Sequence, residues 1–342
     1  MTAARSPDRV ALHAFLERHR SFLITTHINP DGDGIGSEVA MALWLRERGK
    51  TVHVLNDSPL PQAYRFLAQH HPVETWTAEL AERRFGECDA LLVLDTSNRE
   101  RIGRLSDHID QHIIAVAVVD HHVTHQGFGS VNVIEPEAAA AAEMVYDLIR
   151  EGQGTITTAI AEALYIGLMT DTGSFRYSNT DGAAHRMAAT LLDSGIDPQL
   201  LYSRVNAQAP AGRLRFFGEV LSAMEVHDHG RIVVLEAAPE HFQRNGLVGA
   251  DTEGLVDLPR MIAGVEVVVL FSEVEPNKVK VSMRSTGRVA IDTIATSLNG
   301  GGHPHAAGAM VTGTRAEARA RVLPELSRRV AELERTVPAP AR

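Results

Sequence analysis

Short, almost unbroken apolar runs alternate with segments of helical periodicity through the first half of the chain. Residues 21–26, 51–55, 90–94 and 113–119 are the apolar runs, and each reads as a buried strand. Between the first two, Ile35, Val39 and Leu43 recur at i, i+4 and i+8, which predicts a helix over 34–48. Ser6-Pro7-Asp8 starts an earlier helix that runs to about residue 20, with Ala11, Phe15 and Leu16 inward. Continuous apolar strands interleaved with helices indicate a parallel sheet covered on both faces. Helical stretches follow at 138–151, 156–169, 182–194 and 197–206.

The pattern then changes. Residues 213–224 read as a linker helix, and strands are expected at 232–235, 265–271 and 279–283. A helix over 289–298 leads into a glycine-rich loop, and 315–335 is a closing amphipathic helix, kinked or split at Pro324. The fold class expected is α/β: a parallel-sheet catalytic domain over 1–205, a linker over 206–229, and a second, smaller α/β domain over 230–336. The tail beyond reads as frayed.

In open parallel sheets the ligand site lies beyond the carboxyl ends of the strands. Four polar segments stand at such places or at a helix end: THINPDGD (26–33), LDTS (94–97), VVDHH (118–122) and MTDTGSF (169–175). They bring His27, Asp31, Asp33, Asp95, Asp120, His121, His122 and Asp171. Imidazoles and carboxylates in that proportion suit two divalent cations, manganese first, with magnesium or cobalt as alternatives. Two such ions about 3.5–4 Å apart can activate water and stabilise both oxygens of an in-line displacement at phosphorus. A metal-dependent phosphoesterase is the expectation. Asn29-Pro30 and the glycines at 32 and 34 favour a turn that folds three ligand groups inward. The plainer alternative is an Asx-rich turn whose aspartates only cap a helix.

The four segments in this order resemble the DHH phosphoesterase family, named for the triplet Asp120-His121-His122. GGGHPHAAG (300–308), preceded by VSMRS (281–285), resembles the DHH-associated domain that follows the catalytic domain in many members. Length and layout are most similar to the NrnA-type subfamily of oligoribonucleases and 3′,5′-bisphosphonucleotide (pAp) phosphatases. The resemblance implies a dimetal hydrolase. His27 and Asp31 would hold one metal and Asp33 the other; Asp95 would bridge both, and His121 and Asp171 would complete the set. Asp120 would stand behind His121 or act as a further ligand, and His122 would face the substrate as phosphate contact or proton donor. In the second domain Arg284, Gly300, Gly301, Gly302 and His303 would bind a phosphate or nucleotide, with the substrate in a cleft between the domains. Arg176 could neutralise a phosphate or pair with a surface acid, and His125 reads as a bystander. A homodimer follows from resemblance alone.

Bulk properties narrow the partners. The 342-residue chain is 44% apolar and 22% charged, with a net charge of −10. It lacks the basic footprint of a protein that grips long nucleic acid. Short oligoribonucleotides, pAp and linear dinucleotides fit better, since bound cations would reverse the field around the acidic cluster. Cys88 is the one cysteine, so no intrachain disulfide forms. The N-terminus has no apolar signal core and no run of 18 apolar residues appears, so the expected address is cytoplasmic, with no membrane partner. Tyr202, Phe216 and Phe217 read as core aromatics, and His70-His71 as a solvated pair. Competing readings are an inorganic pyrophosphatase or exopolyphosphatase, a RecJ-like single-strand exonuclease, and a non-catalytic nucleotide sensor. The first would need more basic groups than Arg284 and Arg176. The second would need a basic groove, and the third a missing metal ligand.

Overall fold

The computed structural model describes residues 6–122, 126–247, 252 and 254–336, with the side chains of 303 and 334–336 excepted. His125 and the tail 337–342 lie outside the described residues. The chain divides into two compact units, Met1–Gln208 and Ala209–Arg342.

The first unit holds a six-stranded parallel sheet. Its strands are β1 (Ser21–Thr25), β2 (Thr51–Asn56), β3 (Val73–Thr75), β4 (Ala90–Leu94), β5 (Ala115–Asp120) and β6 (Val131–Ile134). They lie in the order β3-β2-β1-β4-β5-β6, so the order reverses between β1 and β4. The helices are α1 (Pro7–Arg18), α2 (Gly32–Glu47), α3 (Ala78–Glu87), α4 (Leu105–Gln111), α5 (Ala141–Glu151), α6 (Thr158–Asp171), α7 (Gly182–Leu192) and α8 (Pro198–Asn206). Strand alternation sorts the core. Phe22, Ile24, Leu92 and Leu94 pack under α1, α2 and α5–α8. Leu23, Leu91 and Val93 face α3 and α4 on the other side. The edge strands β3 and β6 lack apolar runs because they are only partly buried, and α3 and α4 bury few side chains. None of these four was expected, for that reason.

The second unit has the elements α9 (Ala211–Ser222), β7 (Glu225–His227), β8 (Ile232–Ala237), α10 (Pro239–Asn245), β9 (Val267–Glu275), β10 (Lys278–Ser285), α11 (Asp292–Ser297), β11 (Gly301–His303), β12 (Ala306–Thr312) and α12 (Arg315–Thr336). Its sheet runs β11-β12-β10-β9-β8-β7, with β8 and β9 parallel and the other pairs antiparallel. Segment 206–229, expected as a linker, contains α9, whose Phe216 and Val220 are buried with Val233, Leu235 and Phe242. The glycine-rich segment is a hairpin, β11–β12, rather than a loop. The closing helix continues through Pro324, held by buried Val322, Leu326 and Val330. Of the aromatics, Phe216 is buried but Tyr202 is 48% exposed, because Leu201 takes the inward position on α8. His71 is buried with Nδ1 on the Pro72 carbonyl at 2.9 Å, and His70 pairs with Glu162 at 2.8 Å, so the two are not a solvated pair. Among the described residues no helix is long and apolar enough to cross a membrane.

Small residues let α2, α5 and α6 approach one another closely. A Cβ at Gly36 would stand 2.3 Å from the Ala163 carbonyl oxygen, and one at Gly167 would stand 2.6 Å from Ala142 Cβ. Backbone cannot yield as a side chain can, so Gly36→Ala should lower stability by about 1–3 kcal/mol. Gly86→Ala, in α3 with nothing within 4 Å of the added carbon, should instead be neutral or stabilising by up to about 1 kcal/mol. Chemical denaturation of the two variants checks the opposite signs.

Candidate metal centre

The strand ends place the polar segments at the switch point between β1 and β4. β1 ends at Thr25 and delivers His27; β4 ends at Leu94 and delivers Asp95; Asp120 is the last residue of β5. Asp95 sits at φ 60°, a left-handed conformation that aspartate tolerates better than most residues. Asp31 caps α2, its Oδ1 accepting from the amides of Asp33 and Gly34 at 2.9 and 3.2 Å. Capping and ligation are therefore compatible, because Oδ2 of the same carboxylate lies 3.8 Å from His27 Nε2. Asp33 is fully buried on the first turn of α2. It accepts from the amides of Ala141 and Ala142 at 2.6 and 2.9 Å, serving α5, which has no side-chain cap of its own.

Three overlapping donor sets result: His27, Asp31 and Asp95; Asp33, His121 and Asp171; and Asp95, His121 and His122. Backbone carbonyls orient the first two imidazoles. His27 Nδ1 donates to Ile28 O at 2.9 Å and His121 Nδ1 to Ala138 O at 3.2 Å, so each turns Nε2 towards the carboxylates. Asp95 Oδ2 lies 3.4 Å from His27 Nε2, and its Oδ1 lies 3.5 Å from His121 Nε2. His121 Nε2 is also 3.1 Å from Asp171 Oδ2 and 3.7 Å from Asp33 Oδ2. His121 Nε2, Asp95 Oδ1 and Asp120 Oδ2 are nonetheless buried without an aligned hydrogen-bond partner. Donors that crowd together but do not bond to one another fit cations between them.

Asp120 does not stand behind His121. His122 Nδ1 donates to Asp120 Oδ1 at 2.7 Å, and the Ala138 carbonyl takes the place behind His121. Arg176 is exposed, with Nε on the Gly173 carbonyl at 2.7 Å. In the second unit a cavity of about 470 Å³ is lined by Arg284 and Gly301 together with Lys280 and Ser282. Gly300 and Gly302 instead pack against β12, where added Cβ atoms would meet Gly308 O at 2.1 Å and Ala306 O at 2.4 Å. His303 lies in β11, and its side chain is outside the described residues. Lys280 and Ser282 were missed, although Lys-x-Ser-x-Arg along β10 repeats at the strand period and puts all three on one face.

The electrostatics follow from a buried acidic cluster. Burial and the charges of Asp95 and Asp171 hold Asp33 well above the usual carboxylate range, and burial raises Asp31. Burial opposes ionisation of Asp95 as well, but His121 and His27 bring it down to about 2. Burial would lower His121, yet Asp171, Asp95 and Asp33 push it up to about 11; His27 is raised against burial by Asp95 and Asp31. The metal-free centre therefore keeps protons on groups that a cation needs bare. Titrating Mn²⁺ into metal-free protein should release protons, and apparent affinity should rise with pH. Calorimetry in buffers of different ionisation enthalpy measures this; binding without proton release would contradict the donor assignment.

Comparisons with known proteins identify both units of the chain. Residues 21–168 match the DHH family, N-terminal domain, and residues 232–332 match the DHHA1 domain. The chain is similar to the bifunctional oligoribonuclease and PAP phosphatase NrnA of Thermus thermophilus, 34% identical over 290 residues, 85% of this chain and 84% of the relative. NrnA of Bacillus subtilis is 26% identical over 294 residues, 85% of this chain and 89% of the relative. The crystal structure of an exopolyphosphatase-related protein from Bacteroides fragilis matches with a TM-score of 0.89 at 27% identity, covering 97% of this chain and 99% of that one. With both domains matched in order, and a relative 34% identical along most of either chain, this protein belongs to the DHH family of metal-dependent phosphoesterases.

Proposed function

We propose that this protein is a dimetal phosphoesterase that degrades short oligoribonucleotides to mononucleotides and converts pAp to AMP and phosphate. The two oxygens of Asp95 carry the reading: one faces His27 at 3.4 Å, the other His121 at 3.5 Å, as a carboxylate shared by two cation sites would. Bound there, two divalent ions, manganese foremost, would activate water and neutralise charge on the phosphoryl oxygens. His27 and Asp31 would hold one ion, and Asp33, His121 and Asp171 the other. The substrate assignment rests on similarity to relatives named oligoribonuclease and PAP phosphatase.

Other groups act without the ions. The hydrogen bond to Asp120 raises His122 above its ordinary range and so favours the protonated imidazole. Its partial exposure leaves it within reach of a leaving alkoxide, to which it would give a proton. Asp120 is lowered by the same bond despite its burial. In the second unit, Arg284 and Lys280 would bind a phosphate that does not react, with Ser282 between them on the strand. That recognition leaves a net acidic chain able to take an anionic substrate.

Product analysis with pAp, a diadenylate pApA, a short RNA and pyrophosphate tests the reading. AMP from the first three and no turnover of pyrophosphate is the expected result. Phosphate from pyrophosphate alone would overturn the substrate assignment. Asp95→Asn should cut turnover by more than about 100-fold, the upper range for merely outer partners of a metal ligand, with the fold intact by circular dichroism. Near-normal activity in that variant would remove the shared-carboxylate mechanism. Arg284→Ala and Lys280→Ala should raise KM for pAp by about tenfold or more while changing kcat less, since each loses a charge-assisted contact.

A further inference from the structure

We propose a separate transition-metal site on the first unit, formed by Glu82 of α3 with His108 and His112 at the end of α4, and suited to Zn²⁺. His108 and His112 stand at i and i+4, so their rings share one face of the α4 turn. Glu82 reaches them from the neighbouring helix, and ligand atoms of all three lie within 4.8 Å of one another. His112 Nε2 is 3.3 Å from Glu82 Oε2, and His108 Nδ1 is 3.9 Å from the same oxygen. Donors around a tetrahedral zinc at about 2.0–2.2 Å are separated by about 3.3 Å. His112 and Glu82 already stand at that distance, while His108 and Glu82 at 3.9 Å and the two imidazoles, within 4.8 Å of each other, would close by side-chain rotation.

Independent features point to a ligand. His108 Nδ1 is buried and has no hydrogen-bond partner, which is costly for a ring nitrogen unless something binds it. Phe85 fixes both rings, with centroids 5.2 Å from His108 and 5.4 Å from His112. Two imidazoles and one carboxylate match the preferences of Zn²⁺, and they leave a fourth position for water. The location also separates this site from the first centre. His112 lies just before β5 begins, at the amino edge of the sheet, whereas His27, Asp95 and Asp120 stand at its carboxyl edge. A bound ion would tie α3 to α4 across the face where these two helices cover Leu91 and Val93. The inference does not depend on the substrate reading.

The test uses the full chain, stripped with chelator, equilibrated with Zn²⁺ and passed through gel filtration. Bound zinc is counted by elemental analysis in the native protein and in His112→Gln and Glu82→Gln. Glu82 is 65% exposed at its side chain, so its variant should fold normally even if the histidine variant does not. The expected result is one zinc equivalent fewer per chain in each folded variant, with manganese-dependent turnover unchanged. Zinc should also raise the thermal midpoint of the native protein more than that of either variant. Equal zinc counts in all three proteins would overturn the site.

Discussion

The carboxylate of Asp33 on the amides of Ala141 and Ala142 joins the chemistry of this protein to its fold. A helix start needs an acceptor, and α5 offers none of its own at Ala140. Asp33 supplies it from α2, and can do so only because glycines and alanines let α2, α5 and α6 come close. The same approach carries Asp171, the last residue of α6, to within 3.1 Å of His121. The acid thus has two dependants, a helix terminus and a cluster of metal-type donors. Neither can shift without disturbing the other.

Much of the first unit was legible because its inner strands are buried on both faces. Uninterrupted apolar runs at β1, β4 and β5 located three strand ends, and His27, Asp95 and Asp120 had to lie near them. What the chain could not disclose were relations set by side-chain rotation. Whether Asp120 backs His121 or His122 depends on torsions that no spacing encodes, and the answer is His122. Lys280 was overlooked for a different reason: it alternates with Val279 and Val281 in an ordinary half-buried strand, and only the cavity on its outer face gives it meaning. Glu82 of α3 and the histidines at the end of α4 are separated in sequence by strand β4, so nothing local connects them.

The charge distribution gains sense from the burial pattern. A net charge of −10 would repel nucleotides if it were spread evenly. Part of it is sequestered in the centre, where imidazoles and retained protons offset it. Elsewhere acids are spent internally, as where Arg9 is enclosed by Glu135, Asp147 and Glu151 and fastens α1 to the segment around α5. In the second unit Lys280 and Arg284, the latter 3.4 Å from Asp257, bring two cations to the wall of one cavity.

The left-handed backbone at Asp95 has a consequence for anyone transplanting such a centre. A parallel sheet of another protein could be given the same aspartates and histidines at its strand ends and still fail. Its chain would have to turn into positive φ at one residue after the strand, and that residue would have to be the acid whose two oxygens face different histidines. Glutamate, with the same charge and one more methylene, lacks the short side chain that tolerates this geometry. The specification to be copied is a bend in the main chain as much as a set of ligands.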